Sequence, residues 1–346
     1  MTTISRRSLV LGAMTGAVTA PFAQPALAQT GTGNITRIVV PFPPGGTVDP
    51  IARMVQPGLQ QRLGTTIIVE NKPGASGSIG TAQVAKSPPD GSNWVFVFDT
   101  HAVNPFLQNL PFDTEKELEP VLLIGTAPNV VATHPGRPYK TFADVIAAAK
   151  AKPDSVTYGS IGSGSLGHLT MVLLGQRAGV KMVHVPYRGG GPLMNDALAG
   201  HVDLAIGSAA LVTPQVSGGK LRGLAQTSAR RVPGLPDVPT VIESGFPGFE
   251  SYAWWGSFTA GGTPRAIVDR FSNALAETLR EPTIKGRIEA MQITLQAGGP
   301  DVQRQFLADQ MKLWGPVVKE HNIKADSGLR GRIAVTTEAA ASPRSA

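Results

Sequence analysis

The chain has 346 residues, a formal charge of +7 and no cysteine. Its length exceeds what one hydrophobic core of ordinary size accommodates, so two domains are expected. The missing cysteines exclude disulfides, thiolate metal sites, a cysteine nucleophile and a lipid-modified N-terminal cysteine, and the dispersed basic residues, with nothing beyond pairs such as Arg230-Arg231, argue against nucleic-acid binding.

The N-terminus reads as an export signal. Ser5-Arg6-Arg7-Ser8-Leu9 is a twin-arginine start, residues 9–22 are weakly apolar, and Ala26-Leu27-Ala28 is a small-x-small cleavage site. Thr15, Thr19 and Pro21 interrupt the apolar stretch, which is too short for a membrane helix. Residues 1–28 are therefore expected to be removed, leaving a soluble protein in the periplasm.

The 40 glycines and 29 prolines punctuate apolar runs and mark many tight turns in an α/β chain. Residues 38–40 form a buried strand. It breaks at Pro41-Phe42-Pro43-Pro44, turns at Gly45-Gly46, and enters a helix with Asp49 as N-cap and Pro50 at the first helical position. Strand, glycine turn and helix start offer free N–H groups to an anion; the plainer reading is an ordinary βα turn. Residues 66–70 are a second strand, 71–77 a second glycine loop and 78–86 a helix. The continuous apolar run 94–98 is a strand buried on both faces. It ends in the polar tip Asp99-Thr100-His101. Two strands, 121–124 and 129–132, are expected to carry the chain into a second lobe, where Thr141 caps a helix over 142–150.

The second half repeats the same grammar. Strand 156–158, glycine loop 159–165 and helix 166–178 are followed by strand 183–185, glycine loop 187–192 and helix 193–199. Strands are expected at 202–206 and 221–225, then a proline-rich connection over 230–241. Strand 254–258 returns to the first lobe, and helices at 264–280, 282–292 and 300–321 close the fold. Residues 326–346 read as a disordered tail. Strand–loop–helix repetition predicts a mostly parallel sheet with ligands beyond the carboxyl ends of its strands.

No convincing catalytic set emerges. Gly162 to Gly167 matches GxGxxG, but the following strand ends Val185-Pro186-Tyr187-Arg188, without the carboxylate a dinucleotide site needs. No GxSxG elbow occurs, and no spacing ties His101, His168, His184 or His201 to a serine. No HxH or HExxH supports a metal site, and no cofactor is expected. Asp203 is either a partner for backbone amides or a cleft residue. Trp254-Trp255 are core or hinge. What remains is a set of uncharged donors on glycine loops, suited to a small carboxylate.

The runs PFPPGGTVDPIAR, ENKPGASGSIGTAQVAKSPPDG, YGSIGSGSLGHL, VHVPYRGGGPLMNDALAGHVDLAI and LPDVPTVIESGFPG occur in this order. Together they resemble the solute receptors of tripartite tricarboxylate transporters, the Bug (TctC-type) family, over residues 37–324. The resemblance implies a two-lobed α/β periplasmic-binding-protein fold with a hinge, of the Venus flytrap kind. Lobe 1 is 35–128 plus 252–325, and lobe 2 is 129–251. It implies a monomer that binds a small organic carboxylate and hands it to membrane transporter subunits, with no bond made or broken; a carboxylate sensor signalling to a membrane kinase, or an enzyme acting on a carboxylate or ester, are the alternatives. The implied ligand contacts are Phe42, Gly45, Gly46, Thr47 and Asp49 in the first loop, with Asp49 as cap first and contact second. Further contacts are Asp99, Thr100 and His101 after the third strand, Ser160, Gly164 and Ser165 in the serine loop, and Asp203 in the second lobe. On that assignment Asp203→Ala weakens binding and spares the fold. Asp99 departs from the uncharged small residue of many relatives, so the far end of the pocket differs here.

Overall fold

The computed structural model describes residues 35–325. The expected signal peptide and the tail after residue 325 lie outside the described residues. The chain opens with β1 (Ile35–Val40), α1 (Val48–Leu63), β2 (Thr66–Asn71), α2 (Ser78–Ala85), β3 (Asn93–Phe98) and the short α3 (Asn104–Leu107). Then follow β4 (Leu118–Thr133), α4 (Phe142–Ala151), β5 (Thr157–Ser160), α5 (Leu166–Ala178), β6 (Val183–Pro186), α6 (Gly190–Leu198), β7 (Leu204–Ser208), α7 (Ala209–Ser217) and β8 (Arg222–Gln226). The chain returns through β9 (Tyr252–Ala260), α8 (Arg265–Arg280), α9 (Pro282–Ala290), β10 (Thr294–Gly298) and α10 (Pro300–Glu320).

The strands run in the order β2-β1-β3-β9-β4-β7-β5-β6, with β8 and β10 also pairing to β4. Two parallel blocks, β2-β1-β3 and β7-β5-β6, are each built from strand–helix crossovers. Between them lie β9 and β4, antiparallel to each other and to the blocks they flank. The sheet is thus less parallel than expected. The reason is that the chain leaves the first block along β4 and comes back along β9. An outgoing and a returning strand side by side must pair antiparallel.

β4 is one strand of 16 residues, where two were expected. Its first part pairs with β9 as far as Pro128 opposite Tyr252, and its last residues pair with β7 from Asn129 opposite Ser208. Proline at 128 has no N–H to give a ladder, and this is where β4 changes partner. Three segments are knotted together there. The Asn129 N–H donates to Thr227 Oγ1 (2.8 Å), the Thr227 N–H donates to Asn129 O (2.9 Å), and the Ser251 N–H donates to Thr227 O (3.1 Å). The result is a two-lobed α/β fold whose lobes meet at this crossing.

The buried aliphatic and aromatic layer is continuous across the crossing, with Ile38 and Phe96 in one cluster with Val130, Leu193 and Ala205. Trp94 stacks on Phe271 of α8 at 3.8 Å between centroids, and Phe96, Ile38 and Ile51 are fully buried beside them. Trp254 and Trp255 are both fully buried, which makes them core residues. Three elements lacked a clear sequence signal, the short α3 among them. α7 begins directly where β7 ends, without a turn residue, and β10 is a short strand with a register shift. α1 also starts two residues earlier than expected. Thr47 is its N-cap and Asp49 lies inside its first turn, so Asp49 is not the cap and Pro50 is the third helical residue.

Candidate functional site

The carboxyl ends of β1, β3, β5 and β7 point toward one cavity between the lobes, partly open to solvent. Residues at four helix starts line it: Gly46, Thr47 and Val48 at α1, Gly167 at α5, Gly189 and Gly190 at α6, and Ser208 at α7. The first backbone N–H groups of a helix have no acceptor within it. Ser165 caps α5 by accepting from the His168 N–H, but α1, α6 and α7 carry no side-chain cap. Three uncapped positive helix ends therefore converge on one space. The remaining wall is apolar: Phe42, Phe98, Ile161, Ile206 and Leu211.

Two polar side chains in that wall each carry one atom without a hydrogen-bond partner. Asn129, at the lobe crossing, has an unbonded Nδ2, and Asp99, 1% exposed, has an unbonded Oδ2. The other Asp99 oxygen accepts a long bond from the Leu166 N–H at the start of α5 (3.4 Å). Burial pushes the Asp99 carboxyl up to about 8, although backbone N–H groups of Leu166 and Thr100 pull the other way. No lysine, arginine or histidine lines the cavity.

The two lobes touch at glycine loops. A Cβ on Gly191 would lie 2.9 Å from Pro44 O, closer than such atoms approach, so only glycine lets the α6 start meet the β1–α1 loop. Gly164 makes a similar contact with Leu107 of α3, with φ at +80°, a region that favours glycine.

Of the residues singled out from the sequence, Phe42, Gly46, Thr47 and Asp99 line the cavity. Thr47 is fixed by Trp255, whose Nε1–H donates to Thr47 Oγ1 (3.0 Å). The others lie outside its lining. Gly45 packs against Gly191 in the lobe contact. Asp49 is held by Arg53 Nε (3.0 Å) and by Asn71 Nδ2 (2.9 Å), and Asn71 also donates to Phe42 O; it braces the first loop. Thr100 donates to Ser76 O (2.8 Å) and so fixes the glycine loop after β2. His101 is buried against Phe258, and burial holds it neutral, down to about 3. Ser160, Gly164 and Ser165 form an internal network, described below.

Asp203 requires a correction. It precedes β7, at the end of that strand away from the cavity. Its carboxylate accepts from the Thr157 N–H (2.9 Å) and Thr157 Oγ1 (2.7 Å) and pairs with Arg137 (2.9 Å). These contacts join the approach to β7 with the start of β5, and Asp203 does not line the cavity. A charged residue beside an apolar strand must lie at one of its ends, and sequence could not say which.

The sequence reading also found no serine tied to a histidine, whereas the structure brings one pair together. β5 and β6 pair in register, which sets Ser160 Oγ 2.7 Å from His184 Nε2. Ser160 also lies 3.0 Å from Gly162 O and accepts from Ser165 (3.2 Å), so the pair belongs to an internal network of the serine loop. Ser160 is fully buried and absent from the cavity wall. His184 stacks on His168 at 3.7 Å, and burial together with the neighbouring ring holds it down to about 2. His168 is itself held down to about 4 by burial. Among the described residues no cluster could hold a metal ion, and no helix is long and apolar enough to cross a membrane.

Asn129, Gly189, Gly190 and Ser208 were missed. The glycines lay in a loop that was recognised without any residue in it being assigned. Ser208 ends the buried strand β7 and is the N-cap position of α7. Asn129 was hidden inside an apolar strand.

Comparison with known proteins places the chain. The profile of the tripartite tricarboxylate transporter family receptor, TctC, matches residues 51–323. The periplasmic binding protein BugD is 31% identical with a TM-score of 0.79, covering 84% of this chain and 98% of that one. Rpa4515 of R. palustris, solved with adipate, is 30% identical with a TM-score of 0.80, covering 84% of this chain and 97% of that one. MatC from Rhodopseudomonas palustris, with bound malate, is 28% identical with a TM-score of 0.77, covering 82% of this chain and 99% of that one. Cavity, topology and sequence agree: the chain belongs to the TctC family of periplasmic solute receptors, the Bug proteins.

Proposed function

We propose that this protein captures a small organic carboxylate between its lobes and delivers it to a tripartite tricarboxylate-type transporter. The observation that carries this reading is the convergence of uncapped α1, α6 and α7 starts on a cavity without a cationic side chain. Such a site holds an anion by N–H groups and helix dipoles. Adipate and malate in the related structures are carboxylates of the size class meant here. The lobes are taken as 35–128 with 252–325, and 129–251, hinged near Asn129, Thr227 and Ser251. A ligand touching both lobes binds the closed form best and shifts the population toward it. The protein acts as a monomer in the periplasm and leaves its ligand unreacted; the full burial of Ser160, outside the cavity wall, supports that last point.

A thermal-shift screen of succinate, malate, adipate, citrate, glutamate, benzoate and nicotinate tests the proposal. A ligand at a hundredfold excess over its Kd adds about 2.7 kcal/mol, a clear rise in melting temperature. A panel without any such rise contradicts carboxylate capture. Chemical turnover of a binder contradicts the receptor role.

A further inference from the structure

The cavity contains one acid, and its surroundings say what it is for. Asp99 follows β3 and is almost wholly buried. Its Oδ1 accepts from the Leu166 N–H, across from the β5–α5 loop, while Oδ2 has no partner. Backbone N–H groups of Leu166 and Thr100 both favour the ionised carboxylate. The group is therefore arranged as an acceptor, with one acceptor atom left over. The opposite need exists at α1, α6 and α7, whose first N–H groups lack a side-chain acceptor. One cavity thus holds unmet donors and an unmet acceptor.

A plain dicarboxylate answers only the first need. Its second carboxylate would meet a wall that already holds a carboxyl and no cationic side chain. A ligand with an ammonium group beside its carboxylate answers both, and a buried charge is tolerated when paired and hydrogen-bonded. Resting on the receptor reading above, we propose that Asp99 is the specificity-determining residue of this cleft. Its Oδ2 receives the ammonium group of an amino acid in the broad chemical sense, whose carboxylate lies at the helix starts. Without a counter-charge the buried carboxyl is raised to about 8; an ammonium group at Oδ2 supplies that charge, and the acid pairs with it in ionised form.

Calorimetric titration of the purified protein with matched ligands tests this. Succinate is compared with 4-aminobutanoate and aspartate, glutarate with 5-aminopentanoate and glutamate, and adipate with 6-aminohexanoate. At least one ammonium-bearing ligand should bind about tenfold or more tightly than its dicarboxylate, the order expected when a close charge pair forms in a dry site. Asp99→Asn should erase that preference while dicarboxylate affinity holds or rises. The assignment is overturned if dicarboxylates bind as tightly as their ammonium counterparts, or if the preference persists in Asp99→Asn. The wild-type ratios decide the matter by themselves should the variant fail to fold. Dicarboxylate binding without any ammonium preference defeats this inference and leaves the receptor reading standing, whereas no binding by any ligand defeats both.

Discussion

Asp99 and Asp203 are both buried aspartates, and the difference between them separates site from scaffold. Asp203 lies before β7, on the side away from the cavity, and its carboxylate is fully engaged by Thr157 and Arg137. Arg137 in turn donates to Gly200 O (2.8 Å), which ties the approach to β7 to the end of β4. Asp99 lies beyond the carboxyl end of β3, with one long hydrogen bond and one orphaned oxygen. A buried charge with a complete set of partners is explained by the fold. An incomplete set inside a cavity needs a ligand to complete it.

The largest effect is expected at the complete acid. Asp203→Ala should cost about 3 kcal/mol of stability, the low end for breaking a buried pair because Arg137 is partly exposed. Denaturant unfolding measures the loss, and ligand affinity of the folded variant should stay within about twofold of wild type, since binding at a site remote from the change adds independently. A large affinity loss without destabilisation would put Asp203 back in the site and erase the contrast.

The orphaned acid should show itself through pH. Its carboxyl is raised to about 8 in the fold, above the roughly 3.9 of an unfolded aspartate, so between those values the folded state holds more protons. Stability of the ligand-free protein therefore falls as pH rises through that window. Asp99→Asn should gain on wild type by up to about 1.4 kcal/mol per pH unit there, in practice about 2 kcal/mol across the window's upper half. Asp99 is the sole ionisable side chain in the cavity wall, and its neighbours His101 and His168 are neutral through burial. Parallel stability curves for the two proteins from pH 5 to 9 would contradict the assignment.

Closure is the next test. Gly191→Val places carbon against Pro44 O, so it should hold the lobes apart and weaken carboxylate binding about tenfold, roughly 1.4 kcal/mol, with little change in unfolding of the free protein. The smallest effect is expected at Thr47→Val, which leaves the buried Trp255 Nε1–H without an acceptor and should cost about 1 kcal/mol in denaturant unfolding. No loss there would mean that Trp255 finds another partner.

Local pattern carried most of the architecture. Continuous apolar runs such as 94–98 marked buried strands, and the glycine loops marked the strand ends that carry the cavity. The two crossing strands were harder to read. Pro128-Asn129 gives no sign that β4 continues through it, because the partners that keep it extended, β9 on one side and β7 on the other, come from more than 70 residues along the chain. The same holds for the site. Phe42, Gly46, Thr47 and Asp99 sit next to the strand ends that sequence reveals. His101 and Thr100 share the tip with Asp99 but turn into the core, and side-chain direction in a tight turn depends on what packs above it. Asp203 failed for the related reason that a strand's two ends look alike until its neighbours are known.

A crystal structure with a bound carboxylate tests most directly where the ligand sits in the cavity. The prediction is that its oxygens lie about 2.7–3.1 Å from backbone nitrogens at the starts of α1, α6 or α7, with Asp99 Oδ2 on the ligand's other end. A carboxylate seated instead on a lysine or arginine side chain, or near Arg137 and Asp203, would contradict it.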